Sequence, residues 1–114
     1  MQRRGDPERV KQRLEVLHRH CERLGRDPAT IVHSNFFGAV LARTEDEAKR
    51  KREAIGARAP GFLTLVGSTQ QVIDGFAEYA RAGVQHAIVQ LSYEQDPDIV
   101  RLLGTEVAAA LRNA

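Results

Sequence analysis

Apolar positions recur along this chain with two different periods. From Val10, the residues Leu14, Leu17, Cys21 and Leu24 follow at steps of four, three, four and three, the single apolar stripe of an amphipathic helix. Asp6 and Pro7 supply an N-cap and first-turn pair before it, and Gly25 stands where a left-handed C-cap belongs. The turn sequence "RDPAT" then leads into "IVHSNFFGAVLA", whose β-branched and aromatic residues suit a pleated surface; residues 31 to 41 read as a largely buried strand.

Helical period returns after it. Thr44 and Glu47 have the spacing of a capping box, and "EDEAKRKRE" places acids in the first turn and bases behind them. Glu45 with Lys49, Asp46 with Arg50 and Glu47 with Lys51 are spaced four apart in the favourable order, worth about 0.3 kcal/mol per pair. Acids interleaved in this way make a solvated helix face rather than a basic nucleic-acid helix. Residues 56 to 66 contain Gly, Pro-Gly and a short apolar piece, and read as an irregular connection with a small strand at most.

Ser68 and Gln71 form a second capping box, and Val72, Ile73, Phe76, Tyr79 and Ala80 mark one face of a helix that stops at Gly83. "VQHAIVQLSY" reads as a strand. Asp96 and Pro97 then start a last helix lined by Ile99, Leu102, Leu103, Val107 and Leu111, with Gly104 as a mild defect inside it.

Strands alternating with helices predict an α/β fold with parallel pairing through right-handed crossovers. Two strands make a poor sheet, because each has an unpaired flank and a buried parallel sheet needs both faces covered. The expectation is a piece of something larger, or a chain that completes its sheet by pairing with another copy or another protein.

Composition narrows the class. At 114 residues the chain is long enough for one domain, and 42% hydrophobic with 28% charged residues sits near the averages of globular proteins. The 17 basic against 15 acidic residues leave a net charge of only +2, and with no Trp, two Tyr and four Phe there are few platforms on which bases could stack. No nucleic-acid partner is expected. A single cysteine fits a reducing compartment, no apolar run approaches the roughly 20 residues of a membrane span, and "MQRRGDPERV" has no apolar signal core. The expected location is the cytoplasm, without a membrane partner.

The ordered motifs "GDPERVKQRLEVLHRHCERLGRDPATI", "TEDEA" and "LVGSTQQVIDGFAEYARAGVQHAIVQL" resemble the C-terminal part of the luciferase-like flavin- or deazaflavin-dependent monooxygenases and oxidoreductases. The resemblance covers nearly the whole chain and implies the C-terminal βα units of a (βα)8 TIM barrel. It matches residues 6 to 25 to the helix before the seventh strand, 31 to 41 to that strand, 68 to 83 to the next helix and 84 to 91 to the eighth strand. The cofactor it implies is FMN or the deazaflavin coenzyme F420, with hydride or oxygen transfer to a small organic substrate. A whole barrel needs roughly 250 residues, and the family's earlier strands hold the cofactor phosphate and most of the ring. Activity of this chain alone is therefore not expected, and its partner would be a missing N-terminal barrel part or a second copy. Met1 would then be an internal start in a truncated reading frame. The competing expectation is a small non-catalytic α/β interaction or assembly module.

Barrel sites sit at the C-terminal ends of strands. On the first strand His33, Asn35 and Phe37 alternate to one side and Ser34 and Phe36 to the other, so Asn35 or Ser34 could project inward; on the second, Gln90 and Ser92 share a face with His86 and Ile88. Asn35, Gln90 and Ser92 are the cofactor-binding candidates. "VGST" at residues 66 to 69 opens a helix and could hold an anion, but Ser68 and Gln71 satisfy those donors internally. In a flavin enzyme the cofactor carries the chemistry, and no catalytic residue is assigned.

No metal site is expected either. "LHRHCERLGRDPATIVHS" gathers His18, His20, Cys21 and His33, but His20 points about 200 degrees from His18 around a helix. Cys21 belongs to the apolar stripe, His33 to the following strand, and no paired Cys or His spacing of a structural zinc site is present.

Overall fold

A computed structural model describes residues 7–56, 63–90 and 97–112. Helix α1 (Pro7–Leu24) ends as its sequence predicts: Gly25 has φ +72°, and Arg26 N–H donates to the Cys21 carbonyl at 2.8 Å. Its predicted cap, Asp6, lies outside the described residues. Val10 and Cys21 are buried and Leu14 and Leu17 half-buried, whereas Leu24 is 79% exposed. The apolar stripe is one turn longer than the surface it covers, because α1 packs on the third helix and Leu24 stands at the far end, beside the turn.

The turn that follows is a short 3-10 segment, Pro28–Thr30, capped by Asp27, whose carboxylate accepts from Ala29 N–H at 2.9 Å. Strand β1 spans Ser34–Ala42, so it begins three residues later than the sequence predicts. Its first residues are partly exposed and burial is continuous from Phe37 onward. Helix α2 (Glu45–Ile55) is capped by Thr44, whose Oγ1 accepts from Glu47 N–H at 3.2 Å, and Glu45 meets Lys49 at 4.0 Å on its solvated face.

The weak apolar piece after α2 forms a genuine strand, β2 (Leu63–Ser68). Helix α3 (Thr69–Ala82) follows without a break: Ser68 and Gln71 complete a reciprocal capping box, and Gly83 ends the helix at φ +118°. Strand β3 is His86–Gln90. The last helix starts as α4 (Pro97–Leu102), passes through a π-helical turn at Leu103–Val107, and finishes as α5 (Ala108–Arg112). Gly104 lies in that turn, where Thr105 Oγ1 takes the Arg101 carbonyl at 2.8 Å, the acceptor an α-helical Thr105 N–H would use. The predicted cap Asp96 lies outside the described residues.

The fold is thus α/β, with a three-stranded parallel sheet in place of the two strands expected. The strand order is β2-β1-β3, so β1 is central. Leucines and valines in a six-residue stretch between Pro-Gly and a helix cap are too short a signal to specify a strand, and the buried flank of β1 supplies the missing term.

Register decides which side chains share a face, since paired residues of a parallel sheet point the same way. Phe37, Leu41 and Leu65 face α3: Phe37 makes edge contacts with Phe76 and Tyr79, ring centroids 5.1 and 4.8 Å apart, and Leu65 fills the space left by Gly75. Residues of α4, the π turn and α5 line this side beside Ala87 and Val89 of β3. The other side carries Phe36 beside Ile88, Gly38 beside Gln90 and Val40 beside Val66. With β2 and β3 on opposite flanks of β1, right-handed connections place α2 on this second face, where it packs on β1 and β2, and Phe36 and Ile88 stay partly exposed. Val40, Phe37, Leu41 and Ile99 have no exposed surface at all (0%), and each such burial contributes about 1.5–3 kcal/mol.

Candidate functional site

An order of 2-1-3 has a topological switch between β1 and β3, and ligands of open parallel sheets bind in the crevice outside the carboxyl ends at such a point. A crevice is present there. Ala42 and Arg43 form its floor at the end of β1, Glu47 and Lys51 of α2 one wall, and Asp98, Arg101 and Leu102 of α4 the other. Arg101 donates to Asp98 at 2.9 Å, an exposed pair within one helical turn. The cavity is about 130 Å³, well below the roughly 300–1,000 Å³ of pockets that enclose an organic ligand. Its size and mixed charge suit a small ion or a few waters.

The sequence-based candidates do not converge on it. Asn35 pairs with Ala87 near the amino end of β1, on the Phe37 side, with its amide donating to the Phe36 carbonyl at 3.4 Å. Gln90 pairs with Gly38 at the carboxyl end of β3, on the opposite side with Phe36 and Ile88. Ser34, the other option on β1, shares that second face but lies at the far end, beside His86. Alternation along single strands is legible in sequence; which strand faces which, and from which end, is not. Ser92 lies outside the described residues.

The helix start at "VGST" is closed. Ser68 N–H donates to Gln71 Oε1 at 2.8 Å and Gln71 N–H to Ser68 Oγ at 3.2 Å. Thr69, which the sequence does not single out, is buried and its Oγ1 donates to the Ala42 carbonyl at 3.2 Å, tying the start of α3 to the end of β1. These hydroxyls hold the scaffold together.

The structure also brings together two histidines that sequence separates. His18 of α1 and His33, just before β1, have ring centroids 6.1 Å apart at an interplanar angle of 44°. They share a cleft with Lys11, Leu14, Glu15, Ala82 and Gly83. His33 is held by its backbone: its N–H donates to Gln85 Oε1 at 2.9 Å, and its carbonyl accepts from the N–H groups of Gln85 and His86 at 2.8 and 3.1 Å. His33 stands one residue before β1 rather than on the strand, and the turn through Pro28–Thr30 leaves it beside His18 of α1. His20 and His86 are exposed elsewhere, Cys21 is a buried free thiol, and among the described residues no three His, Cys, Asp or Glu side chains cluster as metal ligands. Among the described residues no helix is long and apolar enough to cross a membrane.

Compared with known proteins, the chain matches no family model and no curated sequence.

Proposed function

We propose that this chain is the C-terminal βα portion of a luciferase-like flavin- or deazaflavin-dependent oxidoreductase. The observation that carries the reading is the direct parallel pairing of β1 with β3, with α3 between them in sequence and α3, α4 and α5 on one side of the sheet. A seventh and an eighth barrel strand would be neighbours in this way, with α3, α4 and α5 outside; α2, which packs on the Phe36–Ile88 side, and β2, which intervenes between β1 and β3 in the chain, depart from the barrel pattern. β2 and α2 then occupy the flank of β1 that a sixth barrel strand would take.

The residues placed as cofactor candidates do not build one flavin site in this chain. The carboxyl-end crevice is about 130 Å³, and Asn35 and Gln90 project from opposite faces of the sheet. Cofactor binding and hydride or oxygen transfer therefore belong to the assembled barrel. The test is a fluorescence titration with FMN and with the deazaflavin, on this chain alone and on the chain extended by whatever coding sequence lies in frame before Met1. The reading expects saturable binding only in the extended chain. An upstream sequence without barrel strands, or an extended chain that binds neither cofactor, overturns it.

A second reading, a non-catalytic α/β assembly module, is favoured by one observation: Phe36 and Ile88 are 49% and 42% exposed side by side on the open sheet face. Apolar side chains paired in this way are a surface for association.

A further inference from the structure

We propose that His18 and His33 form a two-histidine site for a divalent first-row transition ion of imidazole preference, zinc or nickel, that joins α1 to the start of β1. An ion held by two imidazole nitrogens at about 2.1 Å from each sets the ring centroids roughly 5–6.5 Å apart, depending on the angle at the metal. The observed separation is 6.1 Å, near the wide-angle end of that range, so a tetrahedral ion would draw the two rings closer by a side-chain rotation.

A second observation points to the same place. Nε2 of His33 is buried and has no hydrogen-bond partner. A buried ring nitrogen without a partner is costly, and a metal ion is a partner it is suited to take. The His33 backbone is also fixed, because its N–H donates to Gln85 Oε1 and its carbonyl accepts from the N–H groups of Gln85 and His86. Glu15 also lines the cleft, one helical turn before His18 on α1, and adds negative charge near the ion, whose remaining positions are taken by water. Lys11 is the one cation lining the cleft and stands a turn further away along α1. The remaining histidines serve as internal controls, since His20 lies on another side of α1 and His86 on the open face of the sheet.

The experiment uses the full chain with zinc and nickel ions as the probes. Calorimetric titration with zinc is expected to give one ion per chain with a micromolar dissociation constant. His18→Ala and His33→Ala each weaken it at least about tenfold, the lower end of what loss of even an outer-shell partner does. His20→Ala and His86→Ala leave it unchanged. Because His33→Ala removes a side chain beside a structural turn, the unsubstituted chain is also titrated with nickel while its imidazole resonances are followed by NMR. Paramagnetic broadening confined to His18 and His33 supports the site. Broadening centred on His20 or His86, equal broadening of all four, or no saturation below about 1 mM overturns it.

Discussion

Gly83 and Leu14 touch so closely that a methyl group on Gly83 would collide with Leu14 Cδ1. The contact joins α1 to the C-terminal end of α3, and it occurs where the chain is also at φ +118°, a conformation that only glycine adopts easily. Gly83→Ala therefore faces backbone strain first and a smaller cost for turning the Leu14 side chain aside, and is expected to destabilise the chain by about 1–2 kcal/mol. Urea denaturation measures it. The double variant with Leu14→Ala recovers only the smaller, Leu14 part, so an identical loss in single and double variants would contradict this account of the contact.

Phe36 and Phe37 are adjacent in sequence and opposite in fate. Phe37 has no exposed surface and packs edge-on against Phe76 and Tyr79, so Phe37→Ala is expected to cost about 3–5 kcal/mol. Phe36 is 49% exposed, and Phe36→Ala should cost about 1 kcal/mol or less in a denaturation series. Comparable losses for the two in dilute, monomeric chain would overturn this assignment of the two faces.

Ser68 serves two elements at once, as the last residue of β2 and the N-cap of α3. Removing its hydroxyl leaves Gln71 N–H without an acceptor, and Ser68→Ala is expected to lower stability by about 1 kcal/mol. Thermal melting of Ser68→Ala beside Ser68→Thr, which keeps the oxygen, separates the cap from any effect on the strand. Equal melting temperatures for the two variants would remove the cap from the explanation.

Self-association is expected from the partly exposed Phe36–Ile88 face and from outer strands whose far flanks are unpaired among the described residues. Purified chain is expected to run above monomer mass by light scattering, and paired substitution of Phe36 and Ile88 by serine is expected to shift it toward monomer. A clean monomer at working concentration defeats this prediction.

Local chemistry was the legible part of this protein. The period of Val10 to Cys21, the caps at Thr44 and Ser68, and the glycine ends at Gly25 and Gly83 are short-range events, settled by neighbours within a turn or two, and each stands in the structure where the sequence places it. The α/β class follows from their alternation. β2 was scarcely visible, because a strand of Leu63–Ser68 is made by pairing with β1 rather than by its own residues.

The sequence by itself determined which segments are helices, where they stop, and that parallel pairing joins the strands. Only tertiary structure decided that β1 is central, that Asn35 and Gln90 point to opposite sides, that Leu24 outlasts its packing, and that His33 comes to rest against His18. The reason is physical. Caps and periods are fixed by energies between residues close in the chain, whereas strand order, face and the meeting of distant side chains depend on long-range burial and register, to which each residue contributes only in combination with the rest.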